Sequence, residues 1–386
     1  MALNKANLFY QLADSLEGKA KKKRLGLTAI GSEHPSEMLV SAASDATKSL
    51  QNAEIVVFGP ERALIDFDNI EKVPVNSLEE AHRKMEEMLD KGQLDAAVTM
   101  HFNFPIGIST IGRVITPSRG KPMFIATTTG TTATDRVCSM VKNAISGIIA
   151  AKASGIKNPT IGILNLDGAR QTERILKQLA KKGYDINFAK TLRADGGCIM
   201  RGNDLLAGSC DIMVTDTLTG NLLMKIFSAY TTGGNYEALG WGYGPGIGEN
   251  MKNIVLILSR ASGAPVVKGA LEYAAEMVCG DLLEVAREEY DKLNKLGFND
   301  ILKSELKHDL SDSSVKDKII KCPPKKVVTQ EIAGIDVLQM EDGVKALWQS
   351  GIYAESGMGC TGPVILVASE DQDKAIKILK SEGYLI

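Results

Sequence analysis

The feature that most constrains the fold is a regular alternation between short apolar runs rich in β-branched residues and amphipathic stretches of helical length. The apolar runs predict seven strands, over residues 24–30, 54–59, 94–100, 122–128, 160–166, 211–217 and 253–259. Strands that alternate with helices in this way build mostly parallel sheets that are covered by helices. The sequence therefore predicts an α/β fold with at least one large sheet.

Helix signals between the strands support this class. One segment opens with a capping box made by Ser77 and Glu80 and closes on Gly92, and another segment ends on Gly183. A capping box satisfies free amide groups at the start of a helix, and glycine readily adopts the left-handed conformation that ends one. Both segments are therefore predicted to be helices.

The chain length of 386 residues is too great for one ordinary core, so more than one compact region is expected. We predict a two-lobed body over residues 1–296 with a cleft between its lobes, a charged connector over 297–328 and a small appendage over 329–386. The appendage is predicted to be a βαβα unit, in which a turn follows the first helix and a second capping box lies at Ser369 and Gln372.

Charge and composition exclude several functions. With 45 basic and 47 acidic residues the formal net charge is -2, so no broad cationic surface for a nucleic acid is expected. No apolar run reaches the roughly 18 residues of a membrane span, and the first residues lack the apolar core of a signal peptide. We therefore expect a cytoplasmic protein without a membrane or nucleic-acid partner.

The six cysteines are scattered, with no Cys-x-x-Cys pair and no spacing to histidine that suits zinc. Neither a disulfide framework nor a metal site nor a bound cofactor is predicted. Four of the cysteines lie in or beside apolar runs and are assigned to packing. These are Cys138, Cys198, Cys210 and Cys279.

Cys360 has a different setting, "SGMGCTGPV", in which nearly all neighbours are small. A buried structural cysteine is the ordinary alternative, because free cysteine is among the most buried residue types. A buried thiol packs against bulky side chains, however, and here only Met358 supplies one. The glycines also let backbone amide groups approach the sulfur, so the stretch favours a tight turn that presents a reactive thiol.

The stretch "VTDTLTGNLLMK" has the pattern of an anion site. A strand ends at Asp216, and Thr219 is placed to cap the helix that follows. Gly220 and Asn221 fall in the first turn of this helix, and Lys225 follows one turn later. Unpaired amide groups at the start of such a helix suit an anion such as phosphate, although an ordinary α/β turn of the same composition is the alternative.

Three other strand ends carry residues suited to a polar, anionic or acyl ligand. Gly130, Thr131 and Thr132 lie in a threonine-rich segment, which a solvated helix cap would also explain. His34 follows the first predicted strand, where a structural hydrogen bond is the alternative to acid–base catalysis. Arg260 follows the last strand, where its guanidinium group could hold phosphate oxygens or form a surface ion pair.

Residues 239–250, "LGWGYGPGIGEN", carry glycine at every second position from Gly240 to Gly248. The spacing fails both the dinucleotide-binding and the phosphate-loop patterns, so no nucleotide is indicated. We predict a mobile flap that carries the aromatic pair Trp241 and Tyr243, and a merely flexible loop is the alternative.

Three stretches, "KGQLDAAVTM", "GIKNPTIGILNL" and "LRADGGCIMRGNDLLAGSCDIMVTDTLTGNLLMK", resemble the phosphate acyltransferase of bacterial phospholipid synthesis and, more distantly, phosphotransacetylase, over residues 90–275. With the tail "GIYAESGMGCTGPVILVASEDQ" included, nearly the whole chain resembles the alpha subunit of component C of the glycine, sarcosine and betaine reductases. The resemblance implies two α/β/α lobes around a cleft, as in isocitrate dehydrogenase-like folds. The phospholipid-synthesis enzymes lack such a tail.

The resemblance also implies a reaction. In the reductase family the tail cysteine carries an acetyl thioester, which inorganic phosphate cleaves to acetyl phosphate in the last step of this amino acid fermentation; that role falls on Cys360. The implied partners are a thiolase-like beta subunit and a selenocysteine-containing carrier protein that delivers a carboxymethyl group, within an oligomer. The candidate phosphate- and acyl-binding residues are His34, Gly130, Thr131, Thr132, Asp216, Thr219, Gly220, Asn221, Lys225 and Arg260.

Two alternatives to this chemistry are open. The first is direct transfer from an acyl carrier to phosphate, which predicts that Cys360 can be replaced without loss of activity. The second is a non-catalytic assembly subunit, which predicts that the chain binds neither phosphate nor an acyl group.

Overall fold

The computed structural model describes residues 22–194, 196–303, 322–333, 335, 340–359, 362–382 and 384–385. The chain divides into two compact units, Met1–Leu302 and Lys303–Ile386. None of the helices in the described ranges combines the length and the apolar content that a bilayer span requires.

Twelve strands of the described chain form the sheet of the first unit. They are β1 (Lys23–Thr28), β2 (Ala53–Gly59), β3 (Glu71–Pro74), β4 (Ala96–Thr99), β5 (Ile108–Ile115), β6 (Pro122–Thr131), β7 (Thr160–Leu164), β8 (Asn187–Phe188), β9 (Ile199–Met200), β10 (Ile212–Val214), β11 (Gly244–Ile247) and β12 (Val255–Ile257). Their order across the sheet is β3-β2-β1-β4-β12-β11-β5-β6-β10-β7-β8, and β9 also pairs with β7.

Helices connect most of these strands and pack on the sheet. They are α1 (Ser36–Ser49), α2 (Glu61–Leu64), α3 (Leu78–Asp90), α4 (Arg136–Ala153), α5 (Ala169–Lys181), α6 (Gly202–Ala207), α7 (Thr217–Ala229), α8 (Ala264–Cys279) and α9 (Leu282–Lys295). Helix α1 packs on β2, α8 packs on β1 and β4, and α7 packs on β5 and β6. The last of these contacts places the candidate site.

The sheet consists of two parallel halves joined by antiparallel strands. Strands β3, β2, β1, β4 and β12 form one parallel half, and β6, β10, β7, β8 and β9 form the other. Between them β11 runs antiparallel to both β12 and β5, and β5 runs antiparallel to β6. The predicted α/β class is confirmed, and the seven predicted strands are observed as β1, β2, β4, β6, β7, β10 and β12.

The sequence does not predict β5, because polar residues interrupt its apolar positions. The structure buries these polar groups with partners that are distant in the sequence. Arg113 forms hydrogen bonds of 2.8 and 2.9 Å with the Glu276 carboxylate, and its guanidinium carbon lies 4.3 Å from the ring centres of both Trp241 and Tyr273. Paired in this way, an arginine can lie inside a sheet without an uncompensated charge.

The alternating glycines of residues 239–250 contribute a buried strand, so the prediction of a mobile flap is wrong. All four residues of β11 are buried between β12 and β5. A Cβ on Gly244 would lie 1.7 Å from the carbonyl oxygen of Ile111, and a Cβ on Gly246 would lie 2.4 Å from the Phe104 ring. Glycine here permits close packing at the centre of the sheet rather than flexibility.

The described part of the second unit is a small antiparallel sheet with two helices. Its elements are β13 (Gln330–Ala333), α10 (Met340–Gln349), β14 (Ala354–Gly359), β15 (Gly362–Val367) and α11 (Gln372–Ser381), and the strand order is β13-β15-β14. The predicted turn over residues 353–363 is therefore largely a strand. A Cβ on Gly357 would lie 3.0 Å from the Leu366 side chain, so glycine at this position allows β14 to pack closely beside β15. Cys360 and Thr361 lie outside the described residues.

The two predicted capping boxes differ in outcome. At the start of α3, Ser77 Oγ accepts a hydrogen bond from Glu80 N at 3.1 Å, as predicted, but the Glu80 carboxylate accepts from Asn76 N at 2.9 Å and thus caps the residue before Ser77. Gly92 follows the helix with a φ of 64°. At the start of α11 no side chain provides a capping hydrogen bond, so the box at Ser369 and Gln372 is wrong. A 3₁₀ turn over Ser369–Asp371 occupies the place of the cap and moves the helix start to Gln372.

Replacing Gly244 with alanine is expected to lower the thermal unfolding midpoint of the full-length chain. The new Cβ would overlap the carbonyl oxygen of Ile111, and overpacking of this kind costs about 1–3 kcal/mol. Gly234→Ala is the matched control, because Gly234 has a φ of 86°, close to the 81° of Gly244, but nothing lies within 4 Å of its Cβ position. Calorimetry should show a clearly lower midpoint for Gly244→Ala, and equal midpoints would contradict the close packing of β11.

Candidate active site

Helix α7 begins directly after the carboxyl end of β10, beside the end of β6. Its N-cap is Asp216, whose carboxylate accepts hydrogen bonds from Thr219 N at 2.9 Å and from Thr219 Oγ1 at 3.0 Å. The predicted cap, Thr219, therefore donates hydrogen bonds to the observed cap, Asp216, because the helix begins three residues earlier than the sequence suggests. Gly220 N also donates to the carbonyl oxygen of Asp216, at 3.0 Å, so the amide groups of Thr217 and Leu218 are the ones an anion could use.

The first turn of α7 packs tightly on β6. A Cβ at Gly220 would lie 1.8 Å from the carbonyl oxygen of Thr127, so only glycine fits at this position. Asn221 Nδ2 donates a hydrogen bond to the carbonyl oxygen of Thr128 at 3.0 Å. These two contacts fix the direction in which the start of the helix points.

The end of β6 supplies Gly130, Thr131 and Thr132. Gly130 has a φ of 85°, and a Cβ there would lie 2.6 Å from a carbonyl oxygen of β5; its own carbonyl oxygen accepts a hydrogen bond from Thr217 Oγ1 at 3.1 Å. Thr131 is exposed. Thr132 is buried and donates to Asn143 Oδ1 at 2.9 Å. Gly130 and Thr131 thus border the start of α7, whereas the Thr132 hydroxyl points into the interior.

Lys225 lies further along α7 with an exposed side chain, and its Nζ is 5.8 Å from the ring centre of Tyr243. Within the described residues no carboxylate lies at ion-pair distance from Lys225. Beneath it, Glu237 is buried and accepts hydrogen bonds from Tyr243 OH at 2.9 Å and from Ser262 Oγ at 2.7 Å. Burial and the Glu237 carboxylate raise the pKa of Tyr243 above its usual range, so the phenol stays protonated and donates.

The loop after β12 meets the loop after β1. The carbonyl oxygen of Arg260 accepts a hydrogen bond from Glu33 N at 2.9 Å, and a ring nitrogen of His34 lies 3.3 Å from the carbonyl oxygen of Ala261. The Arg260 side chain is exposed and His34 is half-buried. Because these residues adjoin Ser262 in the chain, the two loops bring His34 and Arg260 beside the buried Glu237.

A series of hydrogen bonds thus links the segments that carry the candidate residues of the first unit, from the end of β6 and α7 to the loops after β12 and β1. Three residues of this region are not predicted as site residues. The sequence indicates Tyr243 only as an aromatic of the supposed flap, and it gives no signal for Glu237 or Ser262. Their mutual hydrogen bonds are visible only in the folded chain.

The described cysteines outside this region are poor nucleophiles or lie at the surface. Burial, as the first cause, raises the pKa of Cys138 to about 11 and of Cys198 and Cys210 to about 12, which confirms their assignment to packing. The same assignment is wrong for Cys279, which is exposed because it is the last residue of α8, where the chain leaves the core. Cys360 lies outside the described residues.

The chemistry of the region suits an anion. It combines a helix start with the exposed cations Lys225 and Arg260, and both features stabilise negative charge. Over the ranges that the structure describes, no group of three or more His, Cys, Asp and Glu side chains is placed to hold a metal ion.

Three of the sequence matches to known proteins bear on the family of this chain. A family model described as "Fatty acid synthesis protein" matches residues 23–366. The chain is 53% identical over 377 residues to the glycine/sarcosine/betaine reductase complex component C subunit alpha of Peptoclostridium acidaminophilum, covering 97% of this chain and 96% of that one. It is 25% identical over 235 residues to the phosphate acyltransferase of Lysinibacillus sphaericus (strain C3-41), covering 52% of this chain and 70% of that one.

Among solved structures, a branched-chain phosphotransacylase from Enterococcus faecalis V583 aligns with a TM-score of 0.47 and 16% sequence identity, covering 66% of this chain and 99% of that one. The near-complete match to the reductase subunit, rather than this alignment, identifies the family. The chain belongs to the fatty acid synthesis protein family and, within it, to the alpha subunits of component C of the glycine/sarcosine/betaine reductase complexes.

Proposed function

We propose that this chain transfers an acetyl group from a thioester on Cys360 to inorganic phosphate, with acetyl phosphate as the product. The observation that carries the proposal is the start of α7, which lies beside Gly130 and has Lys225 on the same helix. Among the described residues no carboxylate lies at ion-pair distance from Lys225. Two relatives support transfer to phosphate, since one is a phosphate acyltransferase and the other a subunit of a reductase complex.

Phosphate binding is assigned to the start of α7. The amide groups of its first turn and the side chains of Lys225 and Arg260 offset the charge of the dianion. This matters because an anionic phosphate attacks a carbonyl group that itself becomes negative, and preorganised donors stabilise that charge best. Thr131, at the end of β6, and His34, in the loop after β1, are also assigned to the phosphate or the acyl group.

The acyl group is assigned to Cys360 because a thiol is a better leaving group than an alcohol, with an ordinary pKa of about 8.5. Strand β14 pairs with β15 as far as Gly359 opposite Gly362, and Cys360 follows Gly359 in the sequence. Glycine has no side chain to cover a neighbour, so the glycines at this end of the strand pair support the assignment of Cys360 as a thiol that a ligand can reach. Glycine amides near the carbonyl oxygen would also stabilise the tetrahedral intermediate.

The reaction step is a simple displacement. A phosphate oxygen attacks the thioester carbonyl carbon and forms the new C–O bond. The C–S bond breaks, and its electron pair leaves on the Cys360 sulfur, which takes up the proton of the attacking phosphate. In the alternative of direct transfer, the same phosphate attacks an acyl group on a separate carrier, and the similarity to a phosphate acyltransferase is the observation that favours it.

The reaction also implies partners. The name of the relative places that protein in a multi-subunit reductase complex, and we assign this chain to such a complex. A thiolase-like beta subunit and a selenocysteine-containing carrier protein would supply the two-carbon unit as a carboxymethyl group. The chain alone would then carry out only the phosphate-dependent half-reaction.

Cys360→Ala is expected to abolish the arsenate-dependent loss of acetyl phosphate that the full-length chain shows. Arsenate replaces phosphate in the forward step and forms an acyl arsenate that hydrolyses, so each cycle consumes acetyl phosphate only if the thiol first accepts the acetyl group. Cys279→Ala and Cys322→Ala remove exposed thiols and should keep the wild-type rate.

Equal rates in wild type and Cys360→Ala would refute the role of the cysteine and favour direct transfer. A wild-type chain that neither consumes acetyl phosphate nor binds phosphate would favour the assembly subunit.

Lys225→Gln is expected to raise the KM for arsenate and for phosphate about tenfold or more, because one charge-assisted hydrogen bond to the anion is lost. The control is Lys48→Gln, which removes a surface lysine whose Nζ bonds Asp45 at 2.7 Å. Steady-state rates over a range of arsenate concentrations give the KM for arsenate, and competition by phosphate in the same assay gives the value for phosphate. An unchanged KM in Lys225→Gln would show that the anion does not bind at α7.

A further inference from the structure

A second cluster of cations surrounds a small cavity at the carboxyl ends of β7 and β9. The cavity has a volume of about 190 Å³ and is lined by Asn165, Arg170, Arg193, Gly197, Ile199 and Arg201. Three of these residues are arginines, and none of them is acidic. A small cavity with three arginines in its described lining suits a compact anion.

A buried carboxylate holds the two chain segments that carry Arg193 and Arg201. Asp204 is 1% exposed, and its oxygens accept hydrogen bonds from Leu192 N at 2.6 Å, from Thr191 Oγ1 at 2.8 Å and from Arg201 N at 2.9 Å. Burial alone would raise the pKa of Asp204, but these hydrogen bonds outweigh it and lower the pKa. Two backbone amides and the Thr191 hydroxyl therefore satisfy the Asp204 carboxylate. These hydrogen bonds fix the positions of the segments that carry Arg193 and Arg201.

Arg170 approaches the cavity from the first turn of α5. Its Nη1 lies 3.1 Å from Glu173 Oε2, while the other oxygen of Glu173 accepts hydrogen bonds from Lys177 Nζ at 2.8 Å and from Cys198 Sγ at 3.3 Å. One carboxylate thus serves two cations, and the Arg170 side chain is still 75% exposed. The described cavity wall therefore carries three guanidinium groups beside a helix start, and the carboxylate next to Arg170 is shared with Lys177.

We propose that this cavity binds a phosphate group, in addition to the one assigned to α7. Guanidinium groups match phosphate oxygens with paired, charge-assisted hydrogen bonds, which lysine cannot reproduce. Strand β7 is the neighbour of β10, from which α7 starts, and adjacent strands lie about 4.8 Å apart. The cavity and the start of α7 therefore share one edge of the sheet. The phosphate belongs either to a small molecule such as an acyl phosphate or to a larger acyl carrier.

Titration calorimetry of the full-length chain with inorganic phosphate tests this inference. The wild-type chain is expected to bind two phosphate ions, and Arg170→Gln and Arg201→Gln should each weaken one of them about tenfold. The other phosphate should depend on Lys225 and stay unchanged in these variants. Arg83→Gln is the control and should bind as the wild type does, because Arg83 is an exposed arginine that bonds Glu87 at 2.8 Å on α3.

Labelling of arginines with phenylglyoxal, read by mass spectrometry of peptides, tests the same site without a substitution. Phosphate is expected to protect Arg170, Arg193 and Arg201 but not Arg83. Equal protection of Arg83, or unchanged phosphate binding in both variants, would overturn the proposal.

Competition identifies the source of the phosphate. If coenzyme A displaces phosphate from this cavity more strongly than acetyl phosphate does, the cavity is assigned to a larger acyl carrier. If coenzyme A displaces phosphate equally or more weakly, the cavity is assigned to a small phosphate compound. The inference does not depend on Cys360. Loss of arsenolysis in Cys360→Ala and phosphate binding at the arginines are therefore separate results.

Discussion

The close contact between α7 and β6 is the constraint on which the candidate site depends. At Gly220 the helix lies so near the strand that a Cβ would be 1.8 Å from the carbonyl oxygen of Thr127. A larger residue would push the helix away and break the hydrogen bond from Asn221 to the carbonyl oxygen of Thr128. The helix start and Lys225 would then lose their fixed position beside the end of β6. A binding site for a small dianion needs that precision, because charge-assisted hydrogen bonds weaken steeply with distance and angle.

Thr128 connects this contact to the centre of the sheet. Its carbonyl oxygen accepts from α7, and its hydroxyl group donates to the carbonyl oxygen of Tyr243 at 2.8 Å, just before β11. Tyr243 in turn donates to the buried Glu237, which also holds the loop that carries Arg260. The antiparallel strands β5 and β11 therefore do more than join two parallel halves. Through Thr128 and Tyr243 they connect α7 of one half with the loop of the other half that carries Arg260.

The parts of this arrangement that follow from local sequence could be predicted, and the parts that follow from long-range packing could not. Apolar runs predict most of the parallel strands, and the pattern around Asp216 predicts the helix that follows β10, because each signal lies within a few residues. Strand β5 and the β11 glycines escape prediction because their burial depends on partners far along the chain, such as Glu276 for Arg113. The same holds for His34, whose ring meets the loop after β12 across 227 residues. Around Cys360 the glycines suggest a turn, but the structure shows that they pair as β14 up to Gly359.

The most direct test of the account is the position of arsenate in crystals of the full-length chain, located by the anomalous scattering of arsenic. The account predicts an arsenate whose oxygens lie within about 3 Å of amide groups in the first turn of α7 and of Lys225 Nζ. Arsenate bound only in the arginine cavity, or absent from α7 at concentrations that support arsenolysis, would contradict it.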